Sequence, residues 1–437
     1  MGCILLILDG ISDRAYKSLG DRTPLQAANT PYLDELASRG ANGLMHAWHS
    51  GQALTSENAH FTLFGYQHSD FPGRGYLEAI GAKIKLKPSD VAILARIVSA
   101  RPDGYRLILE KNWPKATPDE VNTLIEEIAS FKSNQMKIKF IPVSTTQGIL
   151  VIEGRGSPYI TDSNPITEGR ALIEPQAWAK EKDNPWAVDT AMALKQYLLW
   201  SHQKLDTHPI NINRKKKGLL PLNAIATQRA GQHKEVESFH AKWDLKGISI
   251  SSGIIYHGLS RFLGLEVYAV KDSENPGNDL FDRLKLALSL LSDYDFIHVH
   301  TKTPDEASHT KNVATKKSVI EKIDNGLGKI FDDLVADDNK LLVVTSDHST
   351  PCSEPLIHSG EPVPIMAIGR DMRRDGIMHF NEIDCAGGAL GFIHGKYFMY
   401  FILNALDRIK LSGLMDMPED QPFWPGKEKP LNITDRL

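Results

Sequence analysis

The chain has little cysteine, no long apolar run and no excess of charge of either sign. Each scarcity removes a class of protein. Three cysteines occur in 437 residues, Cys3, Cys352 and Cys385, and none is spaced as a CxxC pair. That odd, scattered set argues against a disulfide framework and against a thiolate zinc site. The opening apolar stretch "CILLIL" is six residues long and stops at Asp9. A bilayer-spanning helix needs about twenty apolar residues. The basic start and cleavage site of a signal peptide are missing as well. No later run is long enough to span a membrane. Fifty basic against fifty-four acidic side chains leave a formal charge of −4. That balance gives no reason to expect nucleic acid or an anionic membrane as partner. The chain reads as a soluble cytoplasmic protein, and nothing in it fixes an oligomeric state.

What is present is the composition of an ordinary globular protein, 41% hydrophobic and 24% charged, at a length suited to two or three domains. Short continuous apolar runs, "CILLILDG" (Cys3–Gly10), "FIHVHT" (Phe296–Thr301) and "KLLVVTSDH" (Lys340–His348), read as strands buried on both faces. Between the last two, Val319, Ile320, Ile323, Leu327, Ile330, Phe331 and Leu334 recur at helical spacing. Strand, helix and strand make a βαβ unit. "TPYLDELASRG" reads as a helix with Thr30 as cap, Pro31 in its first turn and Gly40 as its stop.

One segment has a different rhythm. Strands are expected at Val91–Ser99 and Tyr105–Glu110, then a helix capped by Thr117 with Pro118 at its first position, then strands at "MKIKFIPV" and "GILVIEG". This β-β-α-β-β block is long enough for a small inserted α+β domain. The expected division is 1–86 and 158–437 as an α/β core with a largely parallel sheet, and 87–157 as the insertion. The basic run "NRKKKG" (Asn213–Gly218) reads as a solvated helix end.

Asp9 ends the first strand, Asp305 and His309 follow the second in "KTPDEASH", and Asp347 and His348 end the third. His358 comes ten residues later in "IHSGEPVP". Parallel strands share one C-terminal edge, where ligands bind. Carboxylates gathered there repel and raise one another's pKa unless a cation is present. Mixed Asp and His donors suit Zn, Mn or Fe, whereas Mg and Ca prefer oxygen alone. There are enough donors for two ions, a common arrangement for displacement at phosphorus. Any one of these histidines alone reads as structural; it is DxxxH, DH and a following His together at strand ends that read as ligands. His298 and His300 alternate on one face of their strand and read as core or supporting residues.

Ser56, in "ALTSENAHFTLFGY", has two readings. Ser ahead of an apolar run caps a helix. It is also a nucleophile if a metal ion masks its proton, and a helix start suits phosphate.

The stretches "LDGISDR…TPLQAANTPYLDELASRGANGLM", "TSENAHFTLFGY", "GRGYLEAIGAKIKLKPSDVA", "HPININRKKKGLLPLNA", "YDFIHVHTKTPDEASHTKN", "SDHSTP", "HSGEPVPI" and "GGALGFIHG" resemble the archaeal-type cofactor-independent phosphoglycerate mutases of the alkaline phosphatase superfamily. The likeness covers nearly the whole chain in order. It implies an alkaline-phosphatase-like α/β core with two divalent metal ions (Mn, Zn or Mg), a small inserted domain that closes over the site, and no need of 2,3-bisphosphoglycerate. It implies that Ser56 is phosphorylated and surrounds one metal with Asp9, Asp347 and His348, while Asp305, His309 and His358 hold the other. Lys302 falls at a position expected near the nucleophile, and Arg74 and Arg214 at positions suited to gripping a small phosphorylated substrate. The implied reaction interconverts 3-phosphoglycerate and 2-phosphoglycerate. The substrate side departs from the family pattern. "ILARIVSARPDGYRLILEKN" stands where arginine-bearing stretches are expected, and Phe392 replaces an arginine in "ALGFIHG". Arg96, Arg101 and Arg106 are the basic residues of the changed stretch. An alternative is a related phosphohydrolase or phosphotransferase for another phosphate or phosphonate compound.

Overall fold

A computed structural model describes residues 1–133, 136–337, 339–353, 355–409 and 431–434. It divides into two units. The first holds Met1–His68, Ser238–Ser252 and Gly264–Leu437, and the second holds Ser69–Glu237 and Gly253–Leu263.

The first unit is built on an eight-stranded sheet. In spatial order its strands are Glu266–Ala269, Gly247–Ser251, Phe296–Thr301, Gly2–Leu8, Lys340–Thr345, Val363–Ile368, Ala41–His46 and Gly391–His394. Val363–Ile368 runs against its two neighbours, and every other pairing is parallel. The three apolar runs are its central strands, and Cys3–Leu8, Phe296–Thr301 and Lys340–Thr345 are buried throughout. Continuous burial is what unbroken apolar runs require when both faces are covered. Ile4, Leu6, Ile297, Val299, Leu342 and Val344 pack on one face against helix residues Leu280, Leu284, Ile320, Ile323 and Leu327. The Gly2–Leu8 strand lies between the two strands of the expected βαβ unit. The apolar spacing that joins them is two helices, Val313–Gly328 and Phe331–Val335, not one. The first ends on a glycine, a residue that holds a helix poorly. Thr30 does stand at the start of helix Pro31–Arg39, but its side chain makes no capping bond.

The second unit has a sheet in the order Arg106–Lys111, Val91–Asp103, Gln147–Glu153, Met136–Pro142 and Ser130–Ser133, with Ala224–Gln232 also paired to Val91–Asp103. All its pairings are antiparallel. Helix Pro118–Ile128 begins with a reciprocal Thr117–Glu120 cap, as its sequence signals. With Leu194, Tyr197 and Leu205 of helix Pro185–Asp206 it covers Ile93, Ile138, Leu150 and Ile152. The unit reaches beyond residues 87–157 on both sides. Past residue 157 the reason is the Ala224–Gln232 strand, which pairs with Val91–Asp103 from far along the chain and brings the long helix with it. Among the described residues no helix is long and apolar enough to cross a membrane.

Candidate metal centre

Three adjacent parallel strands bring the expected ligands to one edge of the first unit's sheet. Asp9 follows Leu8 directly, Asp347 and His348 lie just past Thr345, and helix Thr303–His309 starts two residues after Thr301. On that helix Asp305 and His309 are four residues apart and therefore share a face. Their Oδ2 and Nε2 atoms are 3.2 Å apart. The donor atoms form two groups, Asp9/Asp347/His348 and Asp305/His309/His358, each within 4.8 Å.

In the first group Asp347 Oδ1 accepts backbone N–H bonds from Gly10 (3.2 Å) and His348 (3.0 Å). Its Oδ2 is buried without a hydrogen-bond partner among the described residues, 3.2 Å from His348 Nε2 and 3.6 Å from His60 Nδ1. Burial, with the charge of Asp305, pushes the Asp347 pKa up. Burial and neighbouring His358 push His348 down to about 3, so its ring is neutral. His300 Nε2 lies 3.0 Å from Asp9 Oδ2, and His348 Nε2 lies 3.5 Å from Asp9 Oδ1. Burial holds His300 well below its ordinary value, so its ring is neutral, and because a carboxylate only accepts, the proton sits on Nε2 and orients Asp9. A buried carboxylate oxygen with no donor beside neutral imidazoles fits a divalent cation.

The second group is set by the same kind of support. His358 Nδ1–H donates to the Leu54 carbonyl at 2.6 Å, which turns Nε2 toward Asp305 Oδ1 at 3.5 Å. Burial works to raise the Asp305 pKa, but His309 and His358 outweigh it and hold the carboxyl well below its usual range. His348 and His358 stack with ring centroids 3.8 Å apart, so the two groups are neighbours. Thr350 links them. Its Oγ1 accepts from His348 Nδ1–H at 3.1 Å and donates to Asp305 Oδ1 at 2.8 Å. Gly10 makes room for this. Its φ is +62°, and a Cβ there would meet Thr350 Oγ1 at 2.5 Å and Asp305 Oδ1 at 2.9 Å.

Ser56 is the first residue of helix Ser56–Leu63, and Thr55 occupies the cap position. The capping reading therefore does not describe it. Its Oγ–H donates instead to His348 Nε2 at 2.8 Å, which puts the hydroxyl on the first ligand group. His60, one turn on, bonds the Ser56 carbonyl through Nδ1 at 2.8 Å. Sequence reasoning missed His60, Thr350 and the Leu54 carbonyl. For His60 a signal existed, the four-residue spacing from Ser56; for the other two it did not.

The expected basic residues are placed otherwise. Lys302 Nζ sits 2.6 Å from Glu306 Oε1 and 3.5 Å from Asp272 Oδ2. Burial opposes its charge, but these two carboxylates outweigh that and raise its pKa. Arg74 Nε donates to Glu78 at 2.6 Å at the start of helix Arg74–Gly81. Arg214 is buried and donates to the Leu220 carbonyl (2.9 Å), Glu120 (2.8 Å) and the Lys115 carbonyl (2.6 Å). It is a strut of the second unit, and a grip on a substrate anion would require breaking those bonds. The other residues of the run, Asn213 and Lys215–Gly218, are exposed, as expected of a solvated end.

A largely parallel α/β sheet that ends in two Asp/His groups has the donor set of a metalloenzyme, and the metalloenzyme superfamily model matches residues 1–405. The chain is 38% identical over 423 residues to 2,3-bisphosphoglycerate-independent phosphoglycerate mutase 2 of Methanocaldococcus jannaschii, covering 95% of each chain. It is 31% identical over 415 residues to the corresponding mutase of Thermococcus kodakarensis, covering 94% of this chain and 98% of that one. The solved structure of the cofactor-independent phosphoglycerate mutase of Thermoplasma acidophilum aligns with a TM-score of 0.64 at 28% identity, over 93% of this chain and 99% of that one. A Pyrococcus horikoshii protein of solved structure aligns at 0.76 and 27% identity, over 94% and 99%. The chain belongs to the 2,3-bisphosphoglycerate-independent phosphoglycerate mutases, a family of isomerases within the metalloenzyme superfamily.

Proposed function

We propose that the chain interconverts 3-phosphoglycerate and 2-phosphoglycerate in the cytoplasm, through a phosphoserine at Ser56, with two divalent cations and without 2,3-bisphosphoglycerate. The observation that carries this reading is the Ser56 hydroxyl, 2.8 Å from His348 Nε2 and so on the first ligand group. Asp9, Asp347, His348 and Ser56 Oγ would hold one cation, and Asp305, His309 and His358 the other. Bound there, manganese, zinc or magnesium supplies the positive charge that masks the serine proton and offsets charge on the transferring oxygens.

The chain's own part follows. Ser56 Oγ attacks phosphorus in line, the bond from phosphorus to the 3-oxygen breaks, and the proton Ser56 gives up is balanced by one gained on the 3-oxygen, so that glycerate is released into the site. The glycerate 2-hydroxyl then loses its proton and attacks the phosphoserine, the Ser56 Oγ–P bond breaks with Oγ regaining a proton, and 2-phosphoglycerate leaves. His300 and His60 keep Asp9 and the Ser56 backbone in place, so these two groups need not reorganise as charge develops. Arg74 and Lys302 are the candidates for the substrate's negative charge, once their bonds to Glu78, Glu306 and Asp272 are exchanged.

The engagement of Arg214 and Lys302 with protein groups favours a second reading, a related phosphohydrolase or phosphotransferase for a different phosphate or phosphonate compound. One assay separates the two. Manganese-loaded protein is given 3-phosphoglycerate, and 2-phosphoglycerate (through enolase) and free phosphate are followed together. The mutase reading expects 2-phosphoglycerate with little phosphate. Phosphate alone, or no turnover, overturns it.

A further inference from the structure

Behind the ligand groups, in the first unit, lies a buried ammonium that the reaction itself does not use. Lys316 is 0% exposed. It stands on helix Val313–Gly328, seven residues past His309 in sequence. An ammonium has three donors and no acceptor. Lys316 Nζ spends them on the Ser12 carbonyl at 2.8 Å, the Thr350 carbonyl at 2.9 Å and Asp13 Oδ2 at 3.1 Å.

These partners lie on the two loops that bear the first ligand group. Ser12 and Asp13 follow Asp9 by three and four residues, and Thr350 follows His348 by two. Thr350 is also the residue whose hydroxyl joins His348 to Asp305. Asp13 ties the same loops again, since it accepts the Cys352 N–H at 3.2 Å and the Tyr16 hydroxyl at 2.7 Å. The helix that carries Lys316 continues the chain from Asp305 and His309. Two ligand-bearing loops therefore converge on one nitrogen, carried by the helix that follows the third ligand-bearing segment, Thr303–His309.

We infer that Lys316 is a positioning residue for both metal groups: by holding the Ser12 and Thr350 carbonyls it fixes the Asp9 loop, the Asp347–His348 loop and the Thr350 bridge to Asp305 in the geometry that binds cations. The inference rests on the two-metal reading above. A purely structural role makes a different forecast. A buried ion pair can be exchanged for neutral groups without loss of stability, and metal affinity would then follow folding alone. Under the inference the carbonyls, not the pair's charge, are what matter.

The test uses the full chain stripped with chelator and titrated with manganese by calorimetry, alongside circular dichroism. Lys316→Met removes the donors and leaves Asp13 unpaired. Lys316→Met/Asp13→Asn removes the donors and the stranded charge together, and it serves if the single variant does not fold. The expected result is a folded double variant whose manganese dissociation constants at both sites rise about ten- to hundredfold, the range seen when an outer support of a metal ligand is lost. A folded variant that binds manganese as the unaltered chain does overturns the inference, whatever its melting temperature. An unaltered chain that binds no manganese overturns the two-metal reading, and this inference with it. Binding and 3-phosphoglycerate turnover by the unaltered chain, with unchanged affinity in the variants, overturn the inference alone.

Discussion

The two units use their sheets for different ends. In the first unit the central strands are parallel, and both Asp/His groups lie where those strands finish. In the second unit every pairing is antiparallel, and neither group takes a residue from it. Parallel strands send all their C-terminal ends to one edge, whereas antiparallel neighbours alternate, so polar strand ends are dispersed. Topology thus decides where charge can be concentrated. Carboxylates with short side chains at strand ends are placed to within a bond or two by the sheet. Long basic side chains such as Arg214 and Lys302 are placed by whichever carboxylate reaches them.

Substitutions can break this contrast or sharpen it. The largest effect is expected at Ser56. Ser56→Ala removes the group that would carry the phosphoryl, and kcat should fall by more than about a thousandfold with the fold intact; residual turnover near the normal rate would remove Ser56 from the chemistry. Next comes Asp347→Asn, which alters the buried Oδ2 that has no hydrogen-bond partner among the described residues. Manganese affinity should drop at least about a hundredfold, and chelator treatment of the unaltered chain should abolish turnover until metal is returned. Normal affinity in that variant would separate the Asp/His groups from metal binding.

A smaller effect is expected at Gly10. Gly10→Ala places a methyl against Thr350 and Asp305 at a positive φ. About 1–3 kcal/mol of stability should be lost, visible as a lower melting temperature. In the second unit, Arg214→Leu strands the Lys115 and Leu220 carbonyls and should cost about 1–2 kcal/mol. Its manganese affinity should not change. A KM for 3-phosphoglycerate raised more than about tenfold would instead return Arg214 to the substrate, since hydrogen bonds to charged groups are worth that much.

Much of the first unit was legible in the sequence because its signals are local. Apolar runs marked the three central strands, and Asp9, Asp305, His309, Asp347 and His348 stand at their ends by spacing alone. Thr117 and Pro118 announced a helix that forms as written, and Glu120 completes its cap. What was not legible depends on contacts between distant residues. The Leu54 carbonyl that sets the His358 tautomer lies 304 positions away, and backbone carbonyls leave no trace in a residue pattern. The full extent of the second unit hung on Ala224–Gln232, a strand whose pairing partner starts at Val91. Arg214 sits in a basic run that reads as solvated, yet Glu120 lies 94 positions earlier and takes it inward. Ser56 looked like a cap because Ser commonly is one; the preceding Thr55 fills that position and frees the hydroxyl for His348.

The central claim is that the hydroxyl beside His348 is the group that carries the phosphoryl. Rapid quenching of the manganese-loaded protein during turnover of 3-phosphoglycerate, followed by peptide mass spectrometry, tests it directly. The expected result is a phosphorylated peptide with the modification on Ser56, absent in Ser56→Ala and absent when the metal is chelated. Turnover with no phosphorylated Ser56, or with the phosphoryl group on another residue, would contradict it.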